Sequence, residues 1–312
     1  NLKSVDMTGL DTENCFSFVS MFYNCSSLVS VNLSTLNTSS CADMVAMFEG
    51  CSSIEEIDMS NFDMSQSSET RAMFKGCSSL KSIIMSDNFV PASARSTASM
   101  YEDCRSLTNI DVGGFNMSNV RNASRMYYGC ESLTELDLTN WDMGKMSNTT
   151  DILTGCNNLH TIIVGEKFVT GTDREYVKRF LLPIQSSDAI PGATGLWYDA
   201  DGNEYDYHEG SFNPIPDGKP GTYSAVKPKA ETFTVDFYNG KQLVNTLTVE
   251  KGGKVEKPED PTMEILEFLH WAEAETKREW DFENDTVTSD VTLTAVYKAA
   301  EITPAPTPEP TP

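Results

Sequence analysis

Eight cysteines and three histidines are the residues of this sequence best suited to metal binding or nucleophilic chemistry. Their spacing argues against both roles. No Cys-x-x-Cys pair occurs, and His160, His208 and His270 lie far apart, so the usual ligand spacing of a zinc site is missing. A nucleophile elbow, a phosphate-binding loop, a dinucleotide fingerprint and a His-Glu-x-x-His motif are also missing. We therefore predict no catalytic residues, no metal, no cofactor and a protein that is not an enzyme.

Six of the cysteines recur at a nearly constant interval. The steps are 26, 26, 27, 26 and 26 residues, between Cys25, Cys51, Cys77, Cys104, Cys130 and Cys156. Cys15 and Cys41 share a second column, which Val120 and Met146 occupy in later repeats, and such a shared column is typical of a core position. Neighbours stacked about 4.8 Å apart also exceed the usual Cβ separation of a disulfide, about 3.8 Å. We predict buried free thiols in place of a disulfide framework.

Acidic residues form the remaining candidate site. In each repeat, one outward-pointing residue lies between the last two apolar positions of a short strand pattern. This outer column consists of Asp6, Asn32, Asp58, Ile84, Asp111, Asp137 and Ile163. It is either a solvated sheet face or a surface that binds a basic protein patch or a cation-bridged sugar. The binding interpretation is considered because like charges on neighbouring strands are mildly destabilising and would need a reason to persist.

A repeat of about 26 residues, present in seven copies of which the first is incomplete, must position these columns. Three residues after each recurring Cys begins the pattern L-x-x-L-x-L, as in Leu133, Leu136 and Leu138, whose alternation indicates a short strand. The other half of the repeat has apolar residues at the spacing of one helix face, as in Val120, Ala123, Met126 and Tyr127. We predict an α/β leucine-rich-repeat solenoid over 1–168, with a parallel sheet on one face and short helices on the other.

Three segments carry a resemblance to a known family. GCSSL at 76–80, NVRNASRMYYGC at 119–130 and LDLTNWDM at 136–143 resemble the BspA-like leucine-rich-repeat surface proteins of bacteria. The resemblance covers roughly residues 1–168 and recurs from copy to copy. It implies secretion, display at the cell surface and binding of ligands from a host or a neighbouring cell.

The period stops after residue 168. Over 169–227 we predict a capping region: a helix at 174–182 that covers the apolar end of the solenoid, then a β-hairpin around the turn at 201–203. A short linker follows at 228–231. The Pro/Thr-rich tail at 299–312 is predicted to be a disordered linker.

Residues 232–298 form a separate unit with strand-like alternation broken by Gly and Pro. KPEDP at 257–261, WDF at 280–282 and TLTAVY at 292–297 resemble the internalin B-repeat, also called the Listeria–Bacteroides repeat. That resemblance implies a small, mainly-β, β-grasp-like domain used as a stalk or spacer. Trp271 and Trp280 could be ligand platforms, but so small a domain needs large aromatic side chains for its core, and we favour the core role.

The net charge of −23 argues against nucleic acid as a partner and against docking on anionic membranes. No run of 18 apolar residues occurs, so membrane insertion is not expected. We predict an extracellular or cell-surface bacterial protein, monomeric, that acts as an adhesin by binding a protein or glycan through the solenoid sheet face. The alternative is a carbohydrate- or cell-wall-binding accessory region of a larger secreted enzyme.

Overall fold

The computed structural model describes residues 2–86, 89–169, 182–205, 207–208, 211–212 and 215–299. The chain divides into two compact units, Asn1–Pro228 and Lys229–Pro312. Both units are almost entirely β-structure. In the ranges described, the single helical segment is a three-residue 3-10 helix, Met117–Asn119.

Short parallel strands form one face of the first unit, the sheet face, and successive 26-residue repeats form successive coils of a solenoid. The strands are β1 (Ser4–Asp6), β2 (Ser30–Asn32), β3 (Glu56–Met59), β4 (Ser82–Met85), β5 (Glu135–Leu138) and β6 (Thr161–Val164). They pair as β1–β2, β3–β4 and β5–β6, with Val5 beside Val31 and Ile57 beside Ile83. The sequence period therefore corresponds to one full coil.

The opposite face, which we call the turn face, consists of tight turns. The predicted short helices are wrong, and with them the α/β leucine-rich-repeat fold: this unit is a β-solenoid. In the first coil the amides of Phe18, Ser20 and Phe22 donate to carbonyls of the next coil, and Phe22 N lies 2.8 Å from Met47 O. A helix would direct the same amides to carbonyls four residues earlier in their own coil.

Two left-handed residues in each turn-face segment explain why no helix forms there. In the first coil they are Ser20, with φ 56°, and Asn24, with φ 57°. The pairs in the later coils are Ala46 and Gly50, Ala72 and Gly76, Ser99 and Asp103, Arg125 and Gly129, and Asp151 and Gly155. This conformation costs a non-glycine residue about 1–2 kcal/mol. Because it recurs every fourth residue, it interrupts helical hydrogen bonding, and the bonds between coils take its place.

The apolar columns pack inside the solenoid as a continuous core. One column is a stack of aromatic rings whose neighbouring centroids lie 5.1–5.9 Å apart, formed by Phe22, Phe48, Phe74, Tyr101 and Tyr127. Each stacked pair adds about 0.5–1.5 kcal/mol beyond the burial of its surface. Since each inner ring of the stack lies between rings of two neighbouring coils, a coil is stabilised chiefly by the coils beside it.

All eight cysteines are free thiols, as predicted, and six of them are buried, but Cys15 and Cys25 are only partly buried. Five of the buried thiols donate through Sγ to a carbonyl of the preceding coil at 3.1–3.2 Å: Cys51, Cys77, Cys104, Cys130 and Cys156. Burial raises the pKa of Cys51 and of Cys156 to about 12. These thiols are therefore protonated at neutral pH and act as buried hydrogen-bond donors of the core.

Thiol labelling of the native protein at pH 8 should rapidly modify two of the eight cysteines. Cys15 and Cys25 are partly exposed, whereas the other six are buried, and only an accessible thiolate reacts. The measurement is the stoichiometry of a chromogenic disulfide reagent, first in buffer and then in denaturant without reductant. Fewer than eight thiols in denaturant would show that disulfides had formed.

The sheet face continues past the last coil as antiparallel strands. These are β7 (Ala193–Tyr198), β8 (Glu204–Tyr205) and β11 (Gly221–Val226), while β9 (Tyr207–His208) and β10 (Ser211–Phe212) pair separately. The strand order is β5-β6-β11-β7-β8, with Tyr223 of β11 beside Ile162 of β6. β11 thereby covers the edge that the last parallel strand would expose. The helix predicted at 174–182 lies outside the described residues except for its last position.

Asp199 anchors the turn between β7 and β8. Its carboxylate accepts hydrogen bonds from Lys219 Nζ at 2.7 Å, from Tyr205 Oη at 2.9 Å and from the Asn203 amide at 3.0 Å. Burial would raise the pKa of Asp199, but these hydrogen bonds outweigh burial and hold the pKa well below its usual range. The acidic spacing of this segment is thus accounted for by turn formation.

The second unit is a four-stranded mixed sheet. Its strands are β12 (Thr232–Asn239), β13 (Gln242–Glu250), β14 (Leu266–Glu273) and β15 (Val291–Ala299), in the order β13-β12-β15-β14. β12 and β15 run parallel, and the other two pairs are antiparallel. Its core contains Trp271, Trp280 and Phe237, and the Phe237 and Trp271 rings meet edge to face at 5.0 Å.

Candidate functional site

The outer column lies on the sheet face, as the repeat pattern predicts, with one residue in each coil. Six of its seven members are exposed: Asp6, Asn32, Asp58, Ile84, Asp111 and Asp137. Ile163 is half-buried, and Thr222 of β11 lies beside it in the neighbouring strand. The structure therefore brings the predicted residues into one row but places Ile163 next to the capping strands.

The polar members of the outer column form the corner that ends each strand. Their Oδ1 accepts a hydrogen bond from the amide two residues later at 2.9–3.2 Å, in the pairs Asp6–Thr8, Asn32–Ser34, Asp58–Ser60, Asp111–Gly113 and Asp137–Thr139. This arrangement is an Asx turn. Hydrogen bonds from Thr8 and Ser60 lower the pKa of Asp6 and of Asp58. These side chains therefore have a structural role in the turn.

Ile84 and Ile163 occur in the two coils whose corner is one residue longer. In the other coils, the next aromatic residue or leucine follows the last apolar position of the strand pattern by three positions, but after Met85 and Val164 it follows by four. Isoleucine has no side-chain oxygen with which to form the Asx turn of the shorter corner. The alternation of Asp or Asn with Ile thus follows corner length, so the acidity of the column is not by itself evidence for a ligand.

An open groove of about 550 Å³, the Ile84 groove, lies on the sheet face. Its lining residues are Ile83, Ile84, Met85, Ser86, Asp111, Gly114 and Phe115. Ile84 is 58% exposed, the highest value among the large aliphatic residues described in the coils, where Val29 follows at 54%. Sheet pairing is interrupted at this point, because β4 pairs with β3 while residues 109–112 of the next coil form no strand.

The second unit offers no aromatic platform at its two tryptophans. Trp271 is 1% and Trp280 5% exposed, so both belong to the core, as predicted. An open cavity of about 360 Å³ adjoins Trp280. Arg278 in its wall is ion-paired with Glu273 at 2.6 Å and with Asp285 at 2.7 Å. The Arg278 guanidinium is thus already paired with two carboxylates of the same unit.

Across the described ranges, no three His, Cys, Asp or Glu residues lie close enough together to hold a metal ion. Within the same residues, no helix has the length and apolar character needed to cross a membrane. The feature that sequence reasoning missed is the Ile84 groove. Its signal was the 27-residue step between Cys77 and Cys104, which marks the coil with the longer corner.

Comparison with known proteins assigns each unit to a family. Residues 233–296 match the Listeria-Bacteroides repeat domain, which confirms the resemblance seen at 232–298. Residues 1–107 and 87–165 match the family described as Mycoplasma protein of unknown function, DUF285. Both families are typical of bacterial surface proteins and neither is catalytic, and no curated protein matches the chain. Since the two matches together span residues 1–165, more than half of the 312 residues, the chain belongs to the DUF285 family.

Proposed function

We propose that this protein is displayed at the bacterial surface as a non-catalytic adhesin and binds an extracellular protein at the Ile84 groove. One observation carries the proposal: Ile84 is an exposed aliphatic side chain in an open groove, between the polar outer-column residues Asp58 and Asp111. Protein interfaces commonly place an apolar group at the centre and polar groups at the rim. Ser86 and Asp111 lie beside Ile84 and supply such a rim. The family assignments support placement at the surface.

A protein partner suits this groove better than a glycan. Sugars present hydroxyl groups, and burying those against an aliphatic surface without hydrogen bonds is costly. Phe115, the aromatic residue of the lining, is 3% exposed and offers little ring surface for stacking. Asp58 and Asp137 lie outside the groove lining, but their negative charge favours the approach of a basic partner.

The Ile84→Asn variant should bind its partner at least about tenfold more weakly, because it replaces a central apolar contact with the residue type found at Asn32. The partner is first identified with an array of extracellular matrix proteins and glycans, and affinity is then measured by surface plasmon resonance. Val244→Asn is the matched control: it changes a 44% exposed valine of the second unit and should leave affinity unchanged. Equal affinity of Ile84→Asn and the parent chain, or binding to glycans alone, would contradict the proposal.

A further inference from the structure

Two exposed arginines of the solenoid, Arg95 and Arg121, have no ionic partner. Among the described residues, neither side chain forms an ion pair, a hydrogen bond or a ring contact. The other arginines described all pair with carboxylates: Arg71 with Glu69 at 2.9 Å, Arg105 with Glu131 at 3.7 Å, Arg125 with Glu102 at 2.8 Å, and Arg278 with Glu273 at 2.6 Å. Because the chain has 46 acidic residues against 23 lysines and arginines, two unpaired guanidinium groups need an explanation.

Arg95 and Arg121 occupy the same column in neighbouring coils. Arg121 N donates to Arg95 O at 2.9 Å, so the two backbones lie side by side, about 4.8 Å apart. The same column is uncharged in the other coils, where it contains Phe16, Ala42, Ser68 and Ser147. Like charges on neighbouring strands are mildly destabilising, so this pair is not explained by the stability of the fold.

The column next to the arginines changes from acidic to neutral where they begin. Its members in the earlier coils are Asp43 and Glu69, but beside the arginines they are Ser96 and Asn122. A carboxylate in this column would lie next in the chain to each arginine. The sequence of these two coils thus leaves two adjacent positive charges without compensation.

An open groove of about 520 Å³, the Arg95 groove, lies along the two arginines. Its lining contains no carboxylate and no aromatic or large aliphatic side chain, and consists of Ser68, Ala92, Ser93, Arg95, Asn119 and Arg121. Lys145 of the next coil donates to Asn119 Oδ1 at 2.6 Å and adds a third positive charge beside the groove. The Arg95 groove shares no lining residue with the Ile84 groove. Its charge and polarity suit an anionic, hydrophilic ligand.

The lining also restricts the class of anion. A guanidinium binds a carboxylate through two parallel hydrogen bonds, and Ser93 Oγ, which donates to Ser67 O at 2.7 Å, can still accept from a sugar hydroxyl. An acidic peptide would find no pocket for an anchoring aromatic side chain. A dense polyanion such as heparin is repelled by the net charge of −23 and needs more cations than this groove offers.

We propose that the Arg95 groove binds glycans that carry isolated carboxylates. Arg95 and Arg121 bind the carboxylate, and Ser93 accepts from a hydroxyl of the same sugar or its neighbour. This site is additional to the protein-binding site proposed at the Ile84 groove and does not depend on it.

The test measures binding of the full chain to immobilised sugars by biolayer interferometry. The acidic probes are sialyllactose and galacturonic acid, and their neutral counterparts are lactose and galactose. We expect the acidic probes to bind and Arg95→Gln/Arg121→Gln to weaken that binding at least about tenfold, because the bidentate contacts are lost. Arg71→Gln/Arg105→Gln is the matched control: it removes the same charge from arginines that already have partners, and binding should not change.

The thermal unfolding midpoints of both double variants should match that of the parent chain, since the four arginines are exposed. Ile84→Asn should retain full binding of the acidic sugars, which separates this result from the protein-binding proposal. If neither acidic sugar bound better than its neutral counterpart, the proposal would be wrong. Equal losses in the two double variants would also overturn it, because net charge and not the groove would be the cause. Stronger binding to heparin or to a polyglutamate peptide than to either acidic sugar would assign the groove to another class of ligand.

Discussion

The Gly165→Ala variant is expected to lose roughly 3 kcal/mol of unfolding free energy. A Cβ at Gly165 would lie 1.9 Å from the Thr139 carbonyl oxygen and 2.9 Å from the carbonyl carbon. Both atoms belong to the backbone of the neighbouring coil and cannot rotate away, so the two coils must separate at the position where β11 covers the last strand. Urea denaturation followed by far-UV circular dichroism measures the loss.

Gly113→Ala is the matched control, because Gly113 holds the same position in an earlier repeat. The nearest atom to its added Cβ is Asp111 Oδ1 at 3.1 Å, on a side chain that can shift. We expect a loss below about 1 kcal/mol, mainly from the weakened Asx turn. If the two variants were equally stable, close approach of the coils at Gly165 could not be the cause of the effect.

The double variant Lys75→Met/Arg125→Met is expected to lose about 3–5 kcal/mol of unfolding free energy. Glu102 is 3% exposed, and its Oε1 lies 2.8 Å from Arg125 Nη2 and 3.3 Å from Lys75 Nζ. Removing both cations leaves a buried carboxylate without a countercharge, and its desolvation is then uncompensated. Urea denaturation at pH 7 measures the change.

Adding Glu102→Met to that double variant should restore most of the lost stability, because the buried charge is then gone as well. Lys81→Met serves as the control: its ion pair with Glu55 is exposed on both sides, and its loss should not measurably change stability. If the triple variant remained as unstable as the double variant, lost packing of the long side chains would be the cause and the charge argument would be wrong.

The period and the buried columns were predictable because stacking imposes the same constraint on every coil. Leu133, Leu136 and Leu138 were assigned to the inside from their spacing, and they are 0–1% exposed. A strand with one buried face requires apolar and polar residues to alternate, and this alternation is visible in the sequence. The six strands of the sheet face could therefore be placed from the residues alone, although the same pattern at Leu107, Ile110 and Val112 forms no strand.

The turn face could not be predicted from apolar spacing. Successive turns bury Ala123, Met126 and Tyr127 at the same intervals as one face of a helix would. Residue type indicates only one of the two left-handed positions in each turn-face segment. Asn24 and its counterparts are Asn, Asp or Gly, which tolerate the left-handed conformation, but Ala46 and Arg125 adopt it without any such preference. Hydrogen bonds between coils hold those residues there, and no single repeat reveals such bonds.

The outer column was found from the sequence, but its role was not. Asp58 was a candidate ligand-binding residue because its side chain points outward, and the structure shows its Oδ1 bonded to the Ser60 amide at 3.0 Å. The distinction between Asp58 and Ile84 lay in the length of the corner that follows each strand. Corner length distinguishes the two positions only once the shorter corner is known to be an Asx turn. The groove beside Ile84 was therefore found from the structure and not from the sequence.

The bonds of the turn face also determine how the solenoid responds to force. Those that link coils join one coil to the next, as Phe22 N does to Met47 O, and among the described residues none joins coils further apart. Tension that pulls one coil away from its neighbour therefore acts on one junction at a time. A coil that detaches releases 26 residues, about 90 Å of extended chain. The array lengthens in equal increments, and each increment dissipates mechanical work while the remaining coils keep their sheet face intact.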